Sequence, residues 1–147
     1  MSKMQYLAQG VNRITNVIAR SGKGSWISDI EGRKYLDMTS GIGALSTGHS
    51  HPAIVETVKN QVEKIVHAQQ NVVATHIPQI ELVKKVQAIL PKEMDTYFFT
   101  NSGSEAVENA VKIARKATGK TNIVTFIGGF HGRTLGCMSL TTSRSNS

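Results

Sequence analysis

Two apolar runs separated by a long helical pattern constrain this chain more than any other feature. "TYFFT" (Thr96–Thr100) is rich in the aromatic and β-branched residues that fill buried strands, and "NIVTFIG" (Asn122–Gly128) is a second such run. Between them Val107, Ala110, Val111, Ala114 and Ala117 recur at helical spacing, and Gly119 supplies the stop. Strand, helix and strand with short joints predict a βαβ unit, hence a parallel pair whose ends point the same way. Open α/β sheets bind ligands just outside those ends. The residues following each run are therefore where chemistry is expected.

After the first run comes "NSGSE", in which Ser102 and Glu105 have capping-box spacing. In that motif the Ser102 oxygen accepts the Glu105 N–H, and the Glu105 carboxylate reaches back to the Ser102 N–H. The N–H groups of Gly103 and Ser104 are then left over at the positive end of the helix dipole. The Ser104 hydroxyl adds a third donor, and Gly103 has no side chain to keep a ligand away. An anion, most naturally a phosphate, is the expected guest; a plain helix cap is the other reading of the same residues.

After the second run comes "GGFHGRT". Gly128, Gly129 and Gly132 predict a loop that bends sharply or lies against a ligand. It should carry Phe130, His131 and Arg133 to the side of Ser102–Ser104. A Phe130 ring there could stack on a flat ring, and an Arg133 guanidinium could hold a carboxylate through two parallel bonds. Taken singly, each has a plainer reading: core, satisfied loop residue and surface cation.

Upstream, "WISDIEGRKYLDM" predicts a hairpin turning at Glu31-Gly32-Arg33, followed by the Gly-rich loop "TSGIGALSTGHSHP". A helix should begin at Pro52, with Ile54, Val55, Val58, Val62, Ile65 and Val66 on one face. Another should run from Pro78 to Leu90 on Ile80, Val83, Val86 and Leu90, stopped by Pro91. The final "CMSLTTSRSNS" reads as a strand entering a polar tail with no closing element, which suggests a fragment.

Other motifs fit less well. "SGKGSW" departs from a P-loop because Lys23 precedes Gly24 rather than Ser or Thr, and "GIGALS" has Ser46 where a dinucleotide fingerprint needs its third Gly. His49 and His51 lack the further ligands a zinc site requires. The lone Cys137 permits no internal disulfide and has no recognisable partner base for nucleophilic work. A reducing, cytoplasmic setting follows from it. The basic, acid-free stretch before Asp29, with Lys3, Arg13, Arg20 and Lys23, is a faint mitochondrial-type import signal against that reading. Seventeen Lys and Arg face ten Asp and Glu, but they are dispersed along helix patterns without interleaved aromatics. That argues for a solvated face rather than nucleic-acid binding. No apolar run has the length to cross a bilayer.

"DIEGRKYLDMTSGIGALSTGHSHP", "FFTNSGSEAVENAVKIARKATG" and "GGFHGRT" together resemble the class III aminotransferases, the ω-aminotransferases such as the 4-aminobutyrate, acetylornithine and ornithine enzymes. The likeness runs from about Trp26 to about Leu140. It implies the α/β fold type I of pyridoxal-phosphate-dependent transferases in incomplete form. Residues 1–50 would be an N-terminal arm and hairpin segment, part of the small domain. Residues 51–147 would start the large cofactor-binding domain, with its first βαβ part.

The resemblance also implies a pyridoxal 5′-phosphate site. Its phosphate would sit on Gly103 and Ser104 with Ser102 adjacent, and its ring would lie on Phe130 with His131 beside it. Arg133 would bind a substrate carboxylate and Ile42 would lie at the substrate mouth. The implied assembly is a homodimer with active sites at the subunit interface. The implied reaction is ping-pong transfer of an amino group from a 4-aminobutyrate-like ω-amino acid to a 2-oxo acid such as 2-oxoglutarate. Acetylornithine or ornithine as donor, or a non-catalytic phosphate-binding α/β module, are the alternatives. Nothing in the chain matches the family's cofactor-linking lysine or the aspartate that pairs with the pyridinium nitrogen. Lys112, Lys116 and Lys120 lie along or after the helix, away from its N-terminus, and Lys23 and Lys34 flank the hairpin. The chain alone is therefore expected to be inactive.

Overall fold

The computed structural model describes residues 7–8, 13–70 and 72–143. Lys3 of the basic N-terminal stretch and the polar tail from 144 onward lie outside the described residues. The chain divides into two units, Met1–Thr75 and His76–Ser147.

The first unit is built on a three-stranded antiparallel meander in the order β1 (Ala19–Lys23), β2 (Trp26–Asp29) and β3 (Lys34–Leu36). The expected hairpin is β2–β3, with Trp26 opposite Leu36 and Ile27 opposite Tyr35. Its turn is organised by Asp29, which is only 2% exposed. The Asp29 carboxylate accepts the Glu31 and Arg33 N–H groups (both 2.9 Å), Arg33 Nε (2.8 Å) and the Tyr35 hydroxyl (2.9 Å). Burial pushes its pKa up, but the hydrogen bonds from Arg33, Tyr35 and Glu31 outweigh that and hold it at about 2. β1 has no counterpart in the sequence reading. It takes up the Ser21-Gly22-Lys23 of "SGKGSW" as extended strand paired with β2, so that segment forms no phosphate loop.

After β3 the chain makes a single turn, α1 (Ser40–Gly43), of the wrong hand. Ser40, Gly41, Ile42 and Gly43 have φ of 49°, 61°, 61° and 78°. Left-handed backbone is costly for a serine and more so for a β-branched isoleucine. Asp37 is what holds it. Its carboxylate accepts the Thr39 N–H (2.9 Å), the Thr39 hydroxyl (2.7 Å) and the Ser40 N–H (3.0 Å), and its other oxygen meets His49 Nε2 at 2.8 Å. Hydrogen bonds from Thr39 and His49 bring the Asp37 pKa down to about 2 against the opposing effect of burial. His49 is in turn fixed by paired backbone bonds to Gly24 (2.9 and 2.7 Å). α2 (Pro52–Val62) follows with Pro52 at its first position. It ends before Ile65 and Val66, which the sequence pattern had included on its face.

In the second unit α3 (Ile77–Gln87) stops three residues short of the expected Leu90. α4 (Gly103–Thr118) has the expected limits, with Ser102 as N-cap and Gly119 at φ 69° as the left-handed C-cap. Two expectations fail here. The segments 96–100 and 122–128 form no strand, and Val124, Phe126 and Ile127 are almost wholly exposed. A parallel strand needs neighbours to take its N–H and C=O groups and to cover its faces; among the described residues only the Thr142 hydroxyl and the Gly129 N–H reach the backbone of these runs, both at the Phe126 carbonyl. The second failure is at the end of the chain. Leu135–Leu140 of the supposed last strand is a short helix, α5.

Local chemistry explains α5. Thr134 caps it by accepting the Cys137 N–H at 3.4 Å and donates its own hydroxyl to Glu108 Oε1 of α4 at 2.7 Å. Gly136 allows the approach, since a Cβ there would lie 2.5–2.8 Å from the Glu108 carboxylate. Cys137 faces α4 and is the sole buried apolar side chain among the described residues.

Candidate functional site

The start of α4 deviates from a textual capping box in one informative way. Ser102 Oγ accepts the Glu105 N–H at 3.2 Å, as expected. Glu105 Oε2, however, takes the N–H of Asn101 at 2.7 Å rather than that of Ser102. The N–H groups of Ser102, Gly103 and Ser104 consequently have no acceptor among the described residues. Three consecutive donors, one more than the motif predicts, therefore stand at the positive end of a 16-residue helix. A Cβ on Gly103 would meet nothing within 4 Å, so the space in front of these donors is open.

The Gly128–Arg133 loop lies beside them even though the flanking strands are unpaired. Ser102, Gly103, Ser104 and Val107 line one cleft of about 310 Å³ together with Phe130, His131, Gly132 and Arg133. The juxtaposition is set by side-chain-free contact. Gly132 is buried at φ 124°, and a Cβ on it would collide with the Ser104 hydroxyl and come within 3.2 Å of Cys137 Cβ. The Cys137 thiol donates to the Ser104 carbonyl at 3.3 Å. Phe130 is 56% exposed, with room for a flat group against its ring. His131 Nε2 is shut off from solvent without a hydrogen-bond partner among the described residues. Such an orphan is costly to a folded protein unless a further group satisfies it. Arg133 is exposed and has no acidic partner among the described residues.

Ile42 belongs to the first unit, on α1, with its side chain 97% exposed. His49 is committed to Asp37. A roomier cleft of about 540 Å³ on the sheet is lined by Ser21, Gly22, Lys23, Trp26, Ser28 and Lys34. Its charged groups, Lys23 and Lys34, are exposed, and its lining includes neither a helix terminus nor an orphaned polar atom among the described residues. Neither the extra Ser102 donor nor the ties from α5 had a visible signal in the sequence: the first depends on which of two adjacent N–H groups Glu105 selects, and the second on Thr134 and Cys137 meeting Glu108 and Ser104, about thirty residues upstream.

The profile of the class III aminotransferases matches residues 6–147. The chain belongs to the class III aminotransferase family. It is 45% identical over 125 residues to the acetylornithine aminotransferase of Archaeoglobus fulgidus, covering 85% of this chain and 32% of that one. It is 44% identical over 139 residues to a probable 4-aminobutyrate aminotransferase of Bacillus subtilis, covering 94% and 32%. Among solved structures it matches the pyridoxamine-phosphate-bound form of an aminotransferase from Vibrio fluvialis at a TM-score of 0.77 and 30% identity, over 88% of this chain and 30% of that one. The chain thus spans about a third of the length of the relatives it matches.

The fold is accordingly fold type I of the pyridoxal-phosphate-dependent transferases, in part, and the family's cofactor is pyridoxal 5′-phosphate. The cleft suits that group. Three free amides and a serine hydroxyl match a phosphate, an exposed phenyl face matches a pyridine ring, and His131 Nε2 lacks a partner. No helix among the described residues is long and apolar enough to cross a membrane.

Proposed function

We propose that this chain is the cofactor-phosphate part of an ω-aminotransferase that moves an amino group from a 4-aminobutyrate-like donor to a 2-oxo acid such as 2-oxoglutarate. The observation that carries the reading is the shared cleft of Ser102–Ser104 with Phe130–Arg133. When bound, pyridoxal phosphate supplies an electron sink for the carbon that loses its proton during amino transfer.

This chain's own groups bind and orient. The Ser102, Gly103 and Ser104 amides and the Ser104 hydroxyl hold the phosphate, where the dipole of α4 favours negative charge. Phe130 covers one face of the ring and keeps water off it. His131 stands beside the ring on the same loop. Arg133, free of acidic neighbours, takes the substrate carboxylate in a two-pronged bond, which favours amino acids over simple amines. The same carboxylate chemistry would serve N-acetylornithine or ornithine, and the A. fulgidus relative is an acetylornithine aminotransferase.

Among the described residues no lysine lines the cleft. The chain by itself therefore performs no transamination; the cofactor-linking lysine and the aspartate for the pyridinium nitrogen come from elsewhere in the working enzyme. That enzyme is a homodimer, and the exposed Val124, Phe126 and Ile127 are supplied with cover in it. The free buried Cys137 suits a cytoplasmic protein.

Binding of pyridoxamine 5′-phosphate to the chain, followed through the Gly103 and Ser104 amide resonances, tests the reading. The probe has no aldehyde to react with surface lysines. The parent chain should bind it and Ser104→Glu should not, because a carboxylate there repels the phosphate. A parent that fails to bind, or a Ser104→Glu variant that binds as well as the parent, refutes the assignment.

A further inference from the structure

Two consecutive threonines after α5 account for the position of the cofactor-facing loop. The Thr141 hydroxyl accepts the His131 N–H at 3.1 Å, and its proton lies between two carbonyls, Gly132 O at 3.1 Å and Cys137 O at 2.9 Å. One side chain therefore grips the loop on both sides of the His131–Gly132 bond while remaining tied to α5. At the loop's other end the Thr142 N–H donates to Gly129 O at 2.9 Å, the Ser143 N–H to the same oxygen at 3.1 Å, and the Thr142 hydroxyl to Phe126 O at 2.9 Å. α5 is separately fastened to α4 through Thr134–Glu108 and through the Cys137 thiol to the Ser104 carbonyl. Among the described residues, the ties between the loop and the phosphate-facing helix end run through α5 or through the glycine contact at Gly132. Neither threonine lines the cleft.

We propose that Thr141 is a positioning residue: its hydroxyl sets the backbone of Phe130–Gly132 so that the ring face and the imidazole meet the cofactor, while contributing nothing to the phosphate grip. This rests on the reading of the cleft as a cofactor site. A phosphate on the α4 amides should be indifferent to the loop, whereas a ligand that also carries a pyridine ring should sense it. The hydroxyl, rather than the bulk, of Thr141 does the work, because its methyl makes none of the three contacts.

The test compares Thr141→Val, which keeps the shape, and Thr141→Ser, which keeps the hydroxyl, in the 147-residue chain. Two probes are used, inorganic phosphate and pyridoxamine 5′-phosphate, together with hydrogen exchange at the His131 amide. Thr141→Val should release the His131 amide and weaken pyridoxamine 5′-phosphate by roughly tenfold, in line with the loss of a hydrogen bond or two. Phosphate affinity should stay at the parental value, and Thr141→Ser should restore both readouts. An unchanged His131 amide in Thr141→Val overturns the proposal. So does an equal loss of both probes, which would mark a general collapse, or a Thr141→Ser that behaves like Val. If the parent chain binds neither probe the cofactor reading is what fails, and the exchange data alone then decide whether Thr141 holds the loop.

Discussion

Replacing Gly132 by alanine should separate the cofactor loop from the helix end, and the size of the effect can be worked from two contributions. Gly132 sits at φ 124°, which no L side chain adopts readily; holding alanine there costs about 1–3 kcal/mol. The new methyl would also collide with the Ser104 hydroxyl and stand 3.0 Å from Ser104 Cβ and 3.2 Å from Cys137 Cβ, overpacking worth about another 1–3 kcal/mol. Together these are about 4 kcal/mol, near a thousandfold in the equilibrium between docked and undocked loop. The Thr142 amide, which bonds Gly129 O, and the Met138 amide, which bonds Thr134 O, report on that equilibrium by hydrogen exchange. Both should lose protection by up to that factor. Ser104→Gly in the same chain removes the atoms the methyl strikes. Measured against Ser104→Gly alone, the second substitution should then cost less, namely the backbone share and what the remaining 3.2 Å approach to Cys137 Cβ adds. A Gly132→Ala chain whose Thr142 amide exchanges as slowly as the parent's, or a cost that Ser104→Gly leaves untouched, refutes the reasoning.

Removing the Ser102 hydroxyl with alanine should cost about 1 kcal/mol of α4 stability, seen as fraying of Gly103–Ala106 in carbon chemical shifts; unchanged shifts would show that Ser102 Oγ is not the cap. Acid should act on the first unit through Asp29 and Asp37, both held at about 2. A depressed carboxylate stabilises the fold fully above its ordinary value near 3.8 and stops doing so as pH falls through the folded value. The hairpin and the α1 turn should therefore persist from neutrality to about pH 4 and loosen between about 4 and 2, with Asp29→Asn blunting the hairpin's share; a hairpin and turn that stay intact down to pH 2 would refute this. In an active enzyme carrying this chain, Arg133→Ala should raise KM for a carboxylate-bearing donor by about 10–100-fold, the worth of a charged hydrogen bond, while pyridoxamine 5′-phosphate affinity holds. Lost cofactor with unchanged KM would reverse the roles given to Arg133 and the helix end.

Short-range signals proved the most legible. Glu31-Gly32-Arg33 between apolar alternations could only be a turn, and Ser102, Glu105 and Gly119 mark the ends of α4 because caps are chosen by backbone geometry within a few residues. The two glycine-bearing segments flank one helix and do share a cleft, although the parallel strand pair from which their meeting was expected is not formed. The strands at 96–100 and 122–128 were misjudged because apolar runs report what a segment would bury, whereas strand pairing depends on partners that the pattern does not name. α5 was missed because "LGCMSL" has no amphipathic period; its helix is settled by the local Thr134 cap together with the tertiary approach of Thr134 and Gly136 to Glu108. The left-handed turn at Ser40–Gly43 was equally out of reach. Its glycines announce a bend, but only the Asp37–His49 pair explains an isoleucine at φ 61°.

The exposure of Val124, Phe126 and Ile127 has a calorimetric consequence. Apolar surface that is hydrated both before and after melting contributes nothing to the heat-capacity increment of unfolding. With Cys137 as the one enclosed apolar side chain among the described residues, this polypeptide should show a small increment per residue and a broad, shallow endotherm. Any added segment or second subunit that dries those side chains should steepen the endotherm and raise the increment in proportion to the area it covers.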